Sequence, residues 1–265
     1  DYCAEGGDLG TSTGLAVATG TNAGFTNDYE STAGNCSSYG TSGEDIAYAW
    51  EAANDGCYTF DLYDSDYDTS LAILDSCAGS ELTCDGDSND STDGYNGLTS
   101  VLEYSFSAGD QAIIVIDGYS SSATGNYSLD ITNNTPTSDI DLGSATGSAV
   151  GSADNTGYGD SDLSNASSCM DSVNAGAEDV IFQWEVPSDD CYSVDTENSD
   201  YDTVLTVVDG NNLCGGEVTC DNNSGSDGMS ATVQLTGFTG DLYYFVVDGE
   251  TAADAGTLNL NISAG

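Results

Sequence analysis

The side chains able to do chemistry in this chain are carboxylates and cysteines. Asp66 and Asp68 precede a strand that is followed by Asp85, Asp87, Asn89 and Asp93 with Gly94; a second set comprises Asp200, Asp202, Asp221, Asn223 and Asp227 with Gly228. Alternating oxygen donors closed by a glycine suit calcium, which takes six to eight hard ligands from a flexible loop. The spacing Asp85, Asp87, Asn89 matches the start of an EF-hand loop, but its twelfth position is Asn96 rather than Glu. The same residues also make good turns. The expectation is a calcium ion in at least one loop per domain.

The nine cysteines divide as Cys36, Cys57, Cys77 and Cys84, then Cys169, Cys191, Cys214 and Cys220, with Cys3 left over. Even numbers per half in a strand-rich chain point to disulfides and an oxidising compartment. The short spacings favour Cys77 with Cys84 and Cys214 with Cys220, leaving Cys36 with Cys57 and Cys169 with Cys191. Four cysteines allow three pairings, so the alternatives stay open. Cys3 is a candidate for a bridge to another subunit.

Catalysis finds few residues to use. With no Lys, Arg or His, no Ser-His-Asp or Cys-His site and no Schiff-base lysine can be assembled. Asp68-Thr69-Ser70 is a faint match to the Asp-Thr-Gly of aspartic proteases, but the second copy reads Asp202-Thr203-Val204. No carboxylate pair stands out as a glycosidase site. The chain reads as a non-enzyme.

The net charge of -46 excludes other functions. Nucleic-acid binding needs cations to neutralise phosphate, and anionic membrane surfaces would repel the chain. No internal salt bridge can form, so repulsion must be relieved by bound cations, salt, protonation in an acidic medium or spreading along an assembly. There is no signal peptide or apolar run of transmembrane length; the chain reads as a mature secreted product.

The elements that must position these residues occur twice. EDIAYAWEAANDGCYTFDLYDSDYDTSLAIL, from residue 44, is matched by EDVIFQWEVPSDDCYSVDTENSDYDTVLTVV, from residue 178. Both keep Glu-Asp, a Trp, Cys-Tyr and Ser-Asp-Tyr-Asp-Thr. A repeat this long is a whole domain, which divides the chain into 1–133 and 134–265. Short runs rich in β-branched and aromatic residues read as strands: GLAVATG, IAYAWEA, CYTFDLY, SLAILD, SVLEYSF, AIIVID and NYSLDIT, then VIFQWEV, CYSVD, VLTVVD, ATVQL, LYYFVVD and LNLNIS. The pattern predicts an all-β chain of two tandem jelly-roll-like antiparallel β-sandwiches. The stretch after Gly147 reads as a loop, and residues 131–143, with Pro136, as a linker. Trp50 and Trp184 are expected in the cores rather than as sugar-stacking platforms. Sixteen tyrosines against six phenylalanines suggest an interface or sugar-facing surface.

The runs EDIAYAWEA, CYTFDLYDSDYDTSLAIL and AIIVIDGYSSSATGNYSLDIT, with their counterparts SDYDTVLTVVDG and LYYFVVDGETAADAGTLNLNIS, resemble the bacterial pre-peptidase C-terminal domain in two tandem copies. The resemblance implies a secreted, non-catalytic jelly-roll-like sandwich, appended to proteases or carried in tandem on surface proteins. Some members bind calcium, and their roles include secretion, substrate adhesion and assembly. This chain differs in lacking every basic residue.

The combined expectation is an extracellular structural protein, self-assembling as a homo-oligomer, filament or surface layer and held by disulfides and calcium. The alternative is a monomeric adhesin or a carbohydrate-binding accessory module of a secreted hydrolase, with a glycan or surface polymer as partner.

Overall fold

The computed structural model describes residues 5–31, 42–86, 98–159, 168–169, 177–211, 214 and 216–265. The chain divides into two compact units, Asp1–Thr135 and Pro136–Gly265. Each is a two-layer β-sandwich, and no helix occurs among the described residues.

In the first unit the strands are β1 (Gly7–Asp8), β2 (Gly14–Thr21), β3 (Ile46–Glu51), β4 (Gly56–Asp61), β5 (Thr69–Leu74), β6 (Glu81–Asp85), β7 (Val101–Phe106), β8 (Gln111–Gly118) and β9 (Asn126–Asn133). They form a five-stranded sheet ordered β1-β3-β8-β5-β6 and a four-stranded sheet ordered β2-β9-β4-β7. The second unit repeats the plan with β10 (Ile140–Asp141), β11 (Gly147–Asp154), β12 (Val180–Glu185), β13 (Asp190–Asp195), β14 (Thr203–Asp209), β15 (Glu217–Asn222), β16 (Thr232–Gly237), β17 (Leu242–Gly249) and β18 (Thr257–Ala264). Its sheets run β10-β12-β17-β14-β15 and β11-β18-β13-β16. Pairing is antiparallel except where β1 joins β3 and β10 joins β12.

Three differences from the sequence reading have simple causes. Gly147–Asp154 is a strand rather than a loop, because small residues without alternation still pair when a neighbouring strand offers its edge, here β18. β10 lies inside the expected linker, and two residues are too few to show a period. Glu81–Asp85, absent from the strands read in the sequence, is an edge strand on β5.

Alternation places the cores. In β3, Ile46, Tyr48 and Trp50 face the other sheet, and β8 sends Ala112, Ile114 and Ile116 the same way. The four-stranded sheet answers with Tyr58, Phe60, Leu102, Phe106, Leu129 and Ile131. Trp50 is a hub of edge-to-face contacts, 4.9 Å from Tyr58 and 5.4 Å from both Phe60 and Phe106, a geometry that adds about 1 kcal/mol per pair beyond area burial. Its indole N–H donates to the Ser12 carbonyl at 2.9 Å, and that of Trp184 to Ala145 at 2.8 Å. Both tryptophans are therefore buried anchors. The tyrosine expectation fails for Tyr48, Tyr58, Tyr67, Tyr127, Tyr192 and Tyr201, which are buried as well.

The outer face of each five-stranded sheet is also covered. Tyr29, Ala47, Ala72, Leu74, Cys84, Ile113 and Val115 form a second apolar cluster in the first unit; Ile181, Val208, Tyr244 and Val246 form its counterpart. Polar groups set into that face are removed from water.

Candidate functional site

The duplicated Ser-Asp-Tyr-Asp-Thr string is a corner that ties one sheet to the other. Asp66 accepts the Asn126 backbone N–H at 2.6 Å and its side-chain amide at 2.8 Å, fixing the start of β9. Asp200 accepts the Thr257 N–H at 2.7 Å at the start of β18. The carbonyls of Asp68 and Asp202 accept the N–H groups of Tyr119 and Glu250. Thr69 shares a hydrogen bond with Ser100, as Thr203 does with Thr196. Repetition of this string has a structural cause.

The other expected calcium ligands are similarly engaged. Asp85 accepts the Val101 N–H at 3.1 Å. Asp221 Oδ2 accepts the N–H groups of Ser224 and Thr232 and the Ser224 hydroxyl. Asp227 accepts the amides of Met229 and Ser230 and the Ser230 hydroxyl, which hold its carboxyl below the usual range. Asn223 lies against Asp202, its amide donating to Asp202 Oδ1 at 2.9 Å. Asp87, Asn89 and Asp93 lie outside the described residues. Among the described residues no group of three or more acids is arranged to hold a metal. In the second-unit loops these carboxylates accept backbone amides, as turn carboxylates commonly do.

Asp202 and Glu250 are hydrogen-bonded to each other; partial burial, that bond and the Glu250 charge push Asp202 up to about 6. Two carboxyl groups can bond only if one keeps a proton.

A different arrangement is set into the outer face of the first five-stranded sheet. Ile46 pairs with Ile116 and Ser70 with Asp117. One step beyond Ile46 places Asp45 opposite Asp117, so Asp45, Asp117 and Ser70 form a row across β3, β8 and β5. Side chains so paired have Cβ atoms about 4.5–5.5 Å apart. All three are at most 1% exposed. Asp45 Oδ2 accepts the amides of Asp28 and Tyr29 at 2.7 and 2.9 Å; Asp117 Oδ1 accepts Gly118 N–H at 2.6 Å. Asp45 Oδ1, Asp117 Oδ2 and Ser70 Oγ have no hydrogen-bond partner. Burial first, and the Asp45 charge second, push Asp117 up to about 8. Gly43 passes so close to Gly118 that a Cβ would lie 2.6 Å from its Cα, and only glycine allows that approach. In the second unit Asp179 and Asp248 keep the acid positions, but Val204 stands opposite Asp248 in place of the serine.

The row was invisible in sequence because its members belong to three separate runs. The Glu-Asp before each tryptophan strand and the Asp-Gly after each Ile/Val run were the available signals.

A cleft of about 550 Å³ opens elsewhere on the first unit, lined by Asp8, Glu51, Asp75 and Gln111 over Ala49 and Ile113. Trp50 contributes to its wall but is 2% exposed, so it offers no face for a sugar ring.

The disulfides depart from the expected pairing. Cys169 is bonded to Cys220, which replaces both Cys169–Cys191 and Cys214–Cys220. Cys191 carries a free, exposed thiol. Cys57, Cys77, Cys84 and Cys214 are disulfide-bonded, while Cys3 and Cys36 lie outside the described residues. Close spacing misled because Cys220 lies on β15, where it reaches the segment that carries Ser168 rather than the turn that carries Cys214: Ser168 donates to Glu217 on the same strand. No helix among the described residues is long and apolar enough to cross a membrane.

No protein-family model and no curated protein matches the chain. Among solved structures it is similar to the pre-peptidase C-terminal domain of a collagenase from Bacillus anthracis, with 10% identity and a TM-score of 0.31 over 49% of this chain and 100% of that one. It is similar to tandem CBM51 modules of a family 98 glycoside hydrolase from Streptococcus pneumoniae, with 10% identity and a TM-score of 0.23 over 83% and 81%. It is also similar to the CUB1-EGF-CUB2 domains of rat MASP-1, with 8% identity and a TM-score of 0.25 over 96% and 99%. Likenesses this distant carry no argument about what the chain binds.

Proposed function

We propose that the chain is a secreted, non-catalytic building block that self-associates as the subunit of an extracellular filament or surface layer, with strand β16 as a contact. The observation that supports this reading is the edge of β16 beyond Thr232, whose own amide Asp221 caps; the rest of that edge carries no guard. Edge strands invite pairing with another chain unless charge, a bulge or shortness protects them. β1 and β10 are two residues long; β2 and β11 are bulged, with Ala16 and Ala149 at φ 50°. β6 and β15 carry Glu81 and Asp85, and Glu217 and Asp221; β7 carries the exposed Glu103 at its centre. At the position of Glu103, β16 has Gln234, and Thr232–Gly237 contains no charge, bulge or proline. Phe238 follows it, 62% exposed. In a chain of net charge -46, two copies repel least where strands without carboxylates meet.

The test restores the guard. Sedimentation of the native chain should show concentration-dependent oligomers, with filaments or sheets in electron micrographs, and Gln234→Glu should shift the population to monomer. Dispersed monomers of the native protein at high concentration would refute the reading. The alternative, a monomeric glycan-binding module, draws on the acidic cleft of the first unit; retention on insoluble polysaccharide, lost on Glu51→Gln, would support it.

A further inference from the structure

We infer that β16 pairs antiparallel with β16 of a second copy in one register, Gln234 opposite the partner's Thr236, so that the building block is a two-fold dimer; this rests on the self-association proposed above and adds the geometry of its contact.

Strand parity decides which groups are on offer. The Thr196 N–H donates to the Ala231 carbonyl at 3.0 Å, so the odd-numbered residues of β16 bond inward to β13 and the even-numbered ones point N–H and C=O outward. At Thr232 both outward groups are taken: Asp221 accepts the N–H at 2.8 Å, and the Ser224 hydroxyl donates to the carbonyl at 3.3 Å. Phe238, past the other end, is closed by Asp241, whose carboxylate accepts its N–H at 2.8 Å and whose amide donates to its carbonyl at 2.9 Å. Between these stops lie Gln234 and Thr236. The Thr236 carbonyl meets the Tyr243 hydroxyl at 3.5 Å, a long contact that leaves its second lone pair open.

A second copy brings the same two residues. Placing Gln234 opposite the partner's Gln234 sets Thr236 against the blocked Thr232, and placing Thr236 opposite the partner's Thr236 sets Gln234 against the blocked Phe238. Each choice leaves half of the open groups unused. Gln234 opposite the partner's Thr236 uses all of them, because facing residues of a hydrogen-bonded pair exchange both bonds and the two-fold axis repeats the pair. The axis passes beside Leu235, whose side chain faces the core, so two four-stranded sheets join into one. Phe238, 62% exposed, is carried to the partner's Thr232. β7 lacks this option, since Glu103 stands at the position of Gln234. A two-fold contact closes on itself, so a filament would be built of dimers joined through other surfaces.

The test uses full chains carrying Cys191→Ser, because the Cys191 thiol lies 3.9 Å from the Thr236 hydroxyl and would capture a cysteine placed there. In that background Gln234→Cys, Thr236→Cys and an equal mixture of the two are oxidised with copper phenanthroline and separated on non-reducing gels. Facing hydrogen-bonded residues have Cα atoms about 5.5 Å apart, within the span of a disulfide. Both positions are exposed, so the variants should fold. The mixture should give a cross-linked dimer, and neither variant alone should. Cross-linking of either variant by itself would overturn the register. So would oligomers in sedimentation that cross-link in none of the three samples, a result that leaves the assembly reading standing. Monomers at every concentration, native chain included, would remove both.

Discussion

Removing the Cys169–Cys220 bridge should destabilise the second unit far more than the short-loop pairing would allow. The bond spans 51 residues, and the chain-entropy relation gives about 4 kcal/mol for a loop of that length. A Cys214–Cys220 bridge would give about 2 kcal/mol by the same relation. For a unit running from Pro136 to Gly265, unfolding entropy scales with length, so these losses correspond to about 15 °C and about 8 °C in melting temperature. Calorimetry of the full chain should therefore show one transition of the Cys169→Ser/Cys220→Ser variant moved down by about 15 °C, the other staying near its native position. Non-reducing peptide mapping supplies the direct check; with no Lys or Arg trypsin is useless, and a protease cutting at acidic residues is needed. A peptide linking Cys214 to Cys220, or a transition lowered by only about half the expected amount, would refute the pairing.

Two further outcomes follow from the acids and the free thiol. Asp202 sits above its unfolded value because of burial and Glu250, so its favourable contribution is fully present below about pH 4 and is lost as pH rises through about 6. Melting temperature of the second unit should fall across that window, and Glu250→Gln should flatten the slope; an unchanged slope would mean the pair is not coupled. Cys191 is exposed and free, whereas its repeat counterpart Cys57 is buried and bonded. A thiol reagent applied under native conditions should label the peptide containing Cys191, and Cys191→Ser should remove that label; an unlabelled Cys191 would contradict its exposure.

Strand period and duplication made the sandwich legible, since IAYAWEA and AIIVID alternate or run apolar as a half-buried or central strand must. The edges were less legible. β11 is built of Gly, Ser and Ala, whose side chains carry no period, and is a strand only because β18 lies beside it. The site was least legible of all. Asp66, Asp200, Asp221 and Asp227 accept backbone amides, contacts that the sequence pattern could not reveal because turn-capping and ion-binding use the same carboxylates at similar spacing. Conversely, Asp45 and Asp117 come together through strand register, which no local window contains.

The most direct test of the assembly reading is amide hydrogen exchange along β16 at increasing protein concentration. The outward amides of Gln234 and Thr236 should exchange fast in dilute solution and become protected as copies pair, with Gln234→Glu fast throughout, while Val233 and Leu235, bonded to β13, serve as slow internal controls. Protection of those two outward amides that does not depend on concentration, or slowing confined to other strands, would contradict the account.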